Sequence, residues 1–111
     1  MKVCITAKGT TLDALTEDRF GHAPYFIVVE SENGSFEAIK NPYADVIGGV
    51  GPKVAHLLIA RDIKALVSGE VSRSVHDVLV ATGITMYRYR DNGTVKDVFD
   101  QFTKNTLVRS V

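Results

Sequence analysis

Tyr25-Phe26-Ile27-Val28-Val29 is the segment that most narrows what this chain can fold into. Aromatic and β-branched side chains at this density suit the pleated surface of a strand, and Pro24 marks where the strand begins. Glu32-Asn33-Gly34-Ser35 follows with hairpin-turn chemistry, Asn-Gly being suited to positive φ. Phe36 to Lys40 then alternates apolar and polar residues, which reads as a half-exposed edge strand paired antiparallel to the first. A hairpin of this kind needs a sheet to join, and the rest of the chain supplies one.

Lys2 to Ala7 is a short β-branched run that reads as a buried strand, and the polar stretch 8–19 after it as a loop. Asn41 to Gly51 is a second loop, ending in Gly48-Gly49-Val50-Gly51-Pro52. Proline suits a first helical position, so a helix is expected from about Pro52 to Arg61, with Val54, Leu57 and Leu58 on one face. Ala65-Leu66-Val67 is a short buried strand, and 68–74 a third loop. A helix should follow, capped by Ser72 or Ser74 and running to about Thr82. Ser74 with Asp77 resembles a capping box, and Gly83 suits the position just past the helix end. Ile84 to Tyr89 is a fifth strand and Asp91-Asn92-Gly93 a turn. Thr94 caps a last helix, with Val95, Val98, Phe99 and Phe102 at i, i+3, i+4 and i+7. The order β-β-β-α-β-α-β-α defines an α/β chain: one domain over 1–111, with a mixed five-stranded sheet and helices on both faces.

Composition removes several classes of function. The 13 basic residues cancel the 13 acidic ones, so there is no net positive field to hold a phosphate backbone, and nucleic-acid binding is disfavoured. No apolar run approaches the ~20 residues of a membrane span, and no secretory signal is visible, so a cytoplasmic protein without a membrane role is expected. One cysteine, Cys4, excludes an internal disulfide and a four-cysteine metal site within the chain; mid-strand, it reads as an inert core thiol. No G-x-S-x-G elbow and no serine–histidine–acid relay is present. The first strand carries no acid to hold a pair of divalent metals, so the chain does not read as an enzyme.

In an open α/β sheet, ligands sit beyond the carboxyl ends of the parallel strands, where the loops 8–22, 41–51 and 68–74 should meet. Gly48-Gly49-Val50-Gly51 at a helix start lets backbone N–H groups approach an anion, although it is neither a P-loop nor a dinucleotide fingerprint. His22, in the loop before a strand, can reach a metal or solvent. His56 reads as a surface residue, and His76 as one near the third loop.

Taken together, Phe20-Gly21-His22-Ala23-Pro24-Tyr25-Phe26, Asn41-Pro42, Gly48-Gly49-Val50-Gly51, Ser68-Gly69, Gly83-Ile84 with Tyr87, and Gly93-Thr94-Val95 resemble the dinitrogenase iron–molybdenum cofactor biosynthesis family. The resemblance spans essentially the whole chain. It implies a three-layer α/β/α fold of ribonuclease-H-like topology. It also implies a non-catalytic protein that binds iron–molybdenum cofactor, an iron–sulfur cluster or a precursor, and passes it between metallocluster donor and acceptor proteins. The expected pocket comprises Phe20, Gly21, His22, Asn41, Gly48, Gly49, Gly51 and Gly69, with His22 as the metal ligand. Two departures stand out. Arg19 occupies the place before Phe-Gly where nitrogenase-linked members tend to carry histidine, and the loop Gly69-Glu70-Val71-Ser72-Arg73-Ser74 is more charged than usual. An alternative from the helix start alone is a module for a small phosphorylated or nucleotide-like anion. A ligand-free interaction domain, monomeric or weakly dimeric through the Phe36–Lys40 edge, is the third reading.

Overall fold

The structure, a computed structural model, describes residues 1–89 and 93–109. Its strands are β1 (Lys2–Ala7), β2 (Tyr25–Glu30), β3 (Phe36–Lys40), β4 (Ala65–Ser68), β5 (Thr85–Arg88) and β6 (Val108–Arg109). Its helices are α1 (Gly51–Ala60), α2 (Arg73–Ala81) and α3 (Val95–Thr103). The Asp91-Asn92 part of the turn expected at 91–93 lies outside the described residues.

The sheet order is β3-β2-β1-β4-β5-β6. β1 and β4 pair in parallel, as do β4 and β5, while β2, β3 and β6 each run antiparallel to a neighbour. The sheet therefore has six strands rather than the expected five. After α3 the chain reverses through Asn105, at φ 59°, and lays Val108 and Arg109 along β5. Two exposed residues carry no alternation, which is why the sequence pattern does not announce this strand.

Both faces of the central strands are buried, and the period of two divides their side chains between two cores. Cys4, Phe26, Val28, Leu66 and Met86 pack with Val54, Ala55 and Leu58 of α1 and with Val75 and Leu79 of α2. Val3, Ile5, Ile27, Val29, Ala65 and Val67 pack with Val95 and Val98 of α3. The helices thus cover both faces, as their apolar stripes require.

Some local chemistry differs from expectation. In the β2–β3 connection only Gly34 adopts positive φ, at 74°; Asn33 instead accepts the Ser35 N–H through Oδ1 at 2.9 Å. The hairpin is a longer turn built around one left-handed glycine, not a two-residue Asn-Gly turn. α1 begins at Gly51, which leaves Pro52 inside the first turn. α2 is capped by Ser72, whose Oγ accepts from Val75 N at 3.5 Å. The Ser74–Asp77 capping box does not form, because Ser74 already lies within the helix. Gly83, at φ 85°, follows the end of α2 as expected.

Candidate functional site

Register determines which loops can meet. Ala7 pairs with Tyr25, and Tyr25 pairs with Lys40, so β1 and β3 both end at the edge where β2 begins. β4 and β5 run parallel to β1 and end at the same edge. The connections 8–24, 41–50 and 69–72 therefore leave one rim of the sheet, together with the starts of α1 and α2. Short bridges knit them: Ala7 with Thr16, and Arg19 with Glu70. Thr6 Oγ1 donates to the Glu17 carbonyl at 2.6 Å inside the same seam.

These connections enclose an open cleft of about 890 Å³. Of the eight residues expected there, Phe20, Gly21, His22, Gly48, Gly49, Gly51 and Gly69 line it. Asn41 does not. It is 2% exposed, its Nδ2 donates to the carbonyls of Gly21 (3.0 Å) and Ala23 (2.9 Å), and its Oδ1 accepts from Tyr43 N (3.0 Å). Every polar atom of the Asn41 amide is thus spent on backbone, and the residue shapes the loop beside the cleft.

The glycines do different work. A Cβ on Gly51 would lie 2.4 Å from Val75 Cγ2, and one on Gly69 would lie 2.5 Å from the Asp18 carbonyl. Both let backbones approach closely: α1 against α2, and the 17–19 strip against the end of β4. Gly48 holds φ 108°, and neither Gly48 nor Gly49 has a neighbour within 4 Å of an added Cβ. That pair leaves main chain open to a guest.

His22 is half-buried, with Nδ1 at 3.2 Å from the Ala44 carbonyl. A carbonyl only accepts, so this contact places the proton on Nδ1 and leaves the lone pair on Nε2. The same arrangement orients histidines that ligate metals. Among the described residues, no three histidine, cysteine or acidic groups cluster as a metal site. Cys4 is fully buried away from the rim, and desolvation pushes its thiol well above the ordinary range. His56 is exposed on α1. His76 lines a neighbouring cavity of about 630 Å³, with Nδ1 3.6 Å from Asp77 and a buried Nε2 that has no partner.

The charged side chains that line the cleft, Asp18, Arg19, Glu70 and Arg88, each contact a polar partner. Arg19 reaches Glu17 at 3.1 Å. Burial raises the Glu17 carboxyl, but hydrogen bonds from the Arg19 side chain and backbone outweigh it, and the group sits below the usual carboxylate range. Tyr89 Oη donates to Asp18 Oδ1 at 2.7 Å; burial first, and that hydrogen bond second, push the phenol up. Arg88 lies 3.6 Å from Glu70. Val50, which precedes α1, provides no side-chain cap, and neither α1 nor α2 has an acid in its first turn. Residues at both helix starts line the cleft, so two positive helix ends adjoin it. Asp18, Arg88 and Tyr89 were not singled out from the sequence as site residues. For two of them the signal is positional: Arg88 ends the parallel strand β5 and Tyr89 comes directly after it.

The sequence profile of the family described as dinitrogenase iron-molybdenum cofactor matches residues 1–105. The NMR structure of a Thermotoga protein assigned to the DUF35 family is 34% identical, with a TM-score of 0.84, and the match covers 97% of this chain and 91% of that one. The apo form of the orange protein from Desulfovibrio gigas is 26% identical, with a TM-score of 0.93, and coverage of 99% and 92%. No curated protein matches the sequence.

Proposed function

The chain belongs to the dinitrogenase iron-molybdenum cofactor family, and from that premise we propose that its cleft is a non-catalytic holding site for iron–molybdenum cofactor, an iron–sulfur cluster or a precursor. The observation that carries this reading is convergence. Seven of the eight residues read from the sequence as a pocket line one cleft, with open main chain at Gly48 and Gly49 and two helix starts beside it.

The chemistry suits a cargo that must leave again. The N–H groups at the starts of α1 and α2 attract negative charge. The Nε2 of His22 offers one metal bond, held in orientation by Ala44. The sole thiol takes no part. A single protein ligand with a polar cradle binds more loosely than a multi-ligand site, as a transfer between donor and acceptor proteins requires. The finer fold description, three layers in a ribonuclease-H-like order, is supported by the β3-β2-β1-β4-β5 succession and its pairing directions.

Anaerobic titration with isolated iron–molybdenum cofactor, and reconstitution with iron and sulfide, test the reading. The expected outcome is visible absorbance that co-elutes with the protein. At 100 times the dissociation constant, the ligand should stabilise the fold by about 2.7 kcal/mol. His22→Ala, which removes the ligand itself, should weaken retention by at least the roughly 10- to 100-fold that loss of an outer-shell partner costs. Absence of retained metal, with stabilisation by nucleotides instead, would overturn the proposal in favour of a phosphorylated guest at the same helix starts.

A further inference from the structure

Arg19 and Arg88, which both line the cleft, are held very differently. Arg19 is tied to Glu17, whose side chain is only 10% exposed. Arg88 rests against Glu70 with the two side chains 56% and 89% exposed. At 3.6 Å the Arg88–Glu70 contact is longer than a hydrogen bond, so it is a Coulombic pair in a water-like medium and is weak. The backbones on either side are fixed: Ser68 pairs with Arg88 in the sheet, and Glu70 bridges to Arg19. Only the side chains are loosely held. Both residues also line the neighbouring cavity, so the pair stands at the boundary between the two spaces. Asp18, which also lines the main cleft, is already engaged by Tyr89.

We propose that Arg88 is an anion-recognition residue kept in reserve by Glu70. A negatively charged guest in the main cleft takes the place of the Glu70 carboxylate, and the guanidinium turns from one to the other. This rests on the holding-site reading and adds the side chain that meets the cargo's periphery, where oxygen or sulfur acceptors carry its negative charge. A guanidinium offers a fixed fork of donors to such acceptors. Exchanging a solvated carboxylate for a guest sheltered by the cleft strengthens the contact, because the local dielectric is lower. Glu70 remains beside the site to retake Arg88 when the guest departs.

Four proteins test this: wild type, Glu70→Gln, Arg88→Met and the double variant, each titrated anaerobically with isolated iron–molybdenum cofactor. Both side chains are exposed, so all four should fold alike. Glu70→Gln should tighten binding about two- to fivefold, the range set by an exposed pair. Arg88→Met should weaken it about tenfold and flatten its dependence on ionic strength. The gain from Glu70→Gln should shrink when Arg88 is replaced. Unchanged or weaker binding by Glu70→Gln would overturn the proposal, as would an equal gain in both backgrounds, which signals plain repulsion. Should the wild type retain no cofactor, the holding-site reading fails by itself. Titration of the same proteins with inorganic pyrophosphate then decides the exchange: a gain that depends on Arg88 upholds it, and its absence overturns it.

Discussion

Gly51 and Gly49, two residues apart, should respond very differently to alanine. At Gly51 the added methyl meets Val75 at 2.4 Å, so Gly51→Ala should cost about 1–3 kcal/mol in chemical denaturation. At Gly49 nothing lies within 4 Å, so Gly49→Ala should stay within about 0.5 kcal/mol of wild type. Any loss of guest by Gly49→Ala would then report on the site and not on folding. Asn41→Ala should cost about 1–3 kcal/mol by stripping partners from two carbonyls at the cleft's edge. Glu17 links stability to pH. Its carboxyl titrates lower in the folded chain than in the unfolded one, so its contribution is complete above the ordinary carboxylate range and is lost as pH falls through the folded value. Glu17→Gln should therefore be less stable than wild type near neutrality and should converge with it in strong acid, as urea midpoints across pH would show.

At the level of elements, the cap of α2 is the sharpest test. Ser72→Ala should lose about 0.5–1 kcal/mol and Ser74→Ala almost nothing, measured as paired thermal melts. The sequence left both serines open as caps, and only the backbone path into the helix chooses between them. Strands β1 to β5 are legible in the sequence as short β-branched, aromatic or apolar runs, β3 by its alternation, and the helices by apolar residues at helical spacing. β6 is not, since Val108 and Arg109 owe their pairing to the chain reversal at Asn105. The pocket was legible for a different reason. Strand direction sends the loops to one rim, and their glycines stand out in the sequence itself. Asn41 was misplaced because its type suits both a ligand contact and a backbone clamp, and only burial separates the two. Arg88 and Tyr89 carry no such mark, because residues at a strand's end look like any others until the neighbouring loops are in place.

For the whole molecule, two cores on opposite sheet faces hold the rim steady while the segment 45–49 stays exposed above it. Cofactor binding should thus raise the melting temperature without reshaping the sheet, as far-ultraviolet circular dichroism would register. The burial of Cys4 has a wider consequence. A cargo tethered through sulfur departs only when a metal–thiolate bond breaks, and oxidants that consume thiols destroy such a carrier. Here the one sulfhydryl among these 111 residues is sealed inside the sheet. Dwell time on this scaffold would follow dilution and the appetite of the next protein, and alkylating agents that disable thiol-based carriers would leave its loading capacity intact.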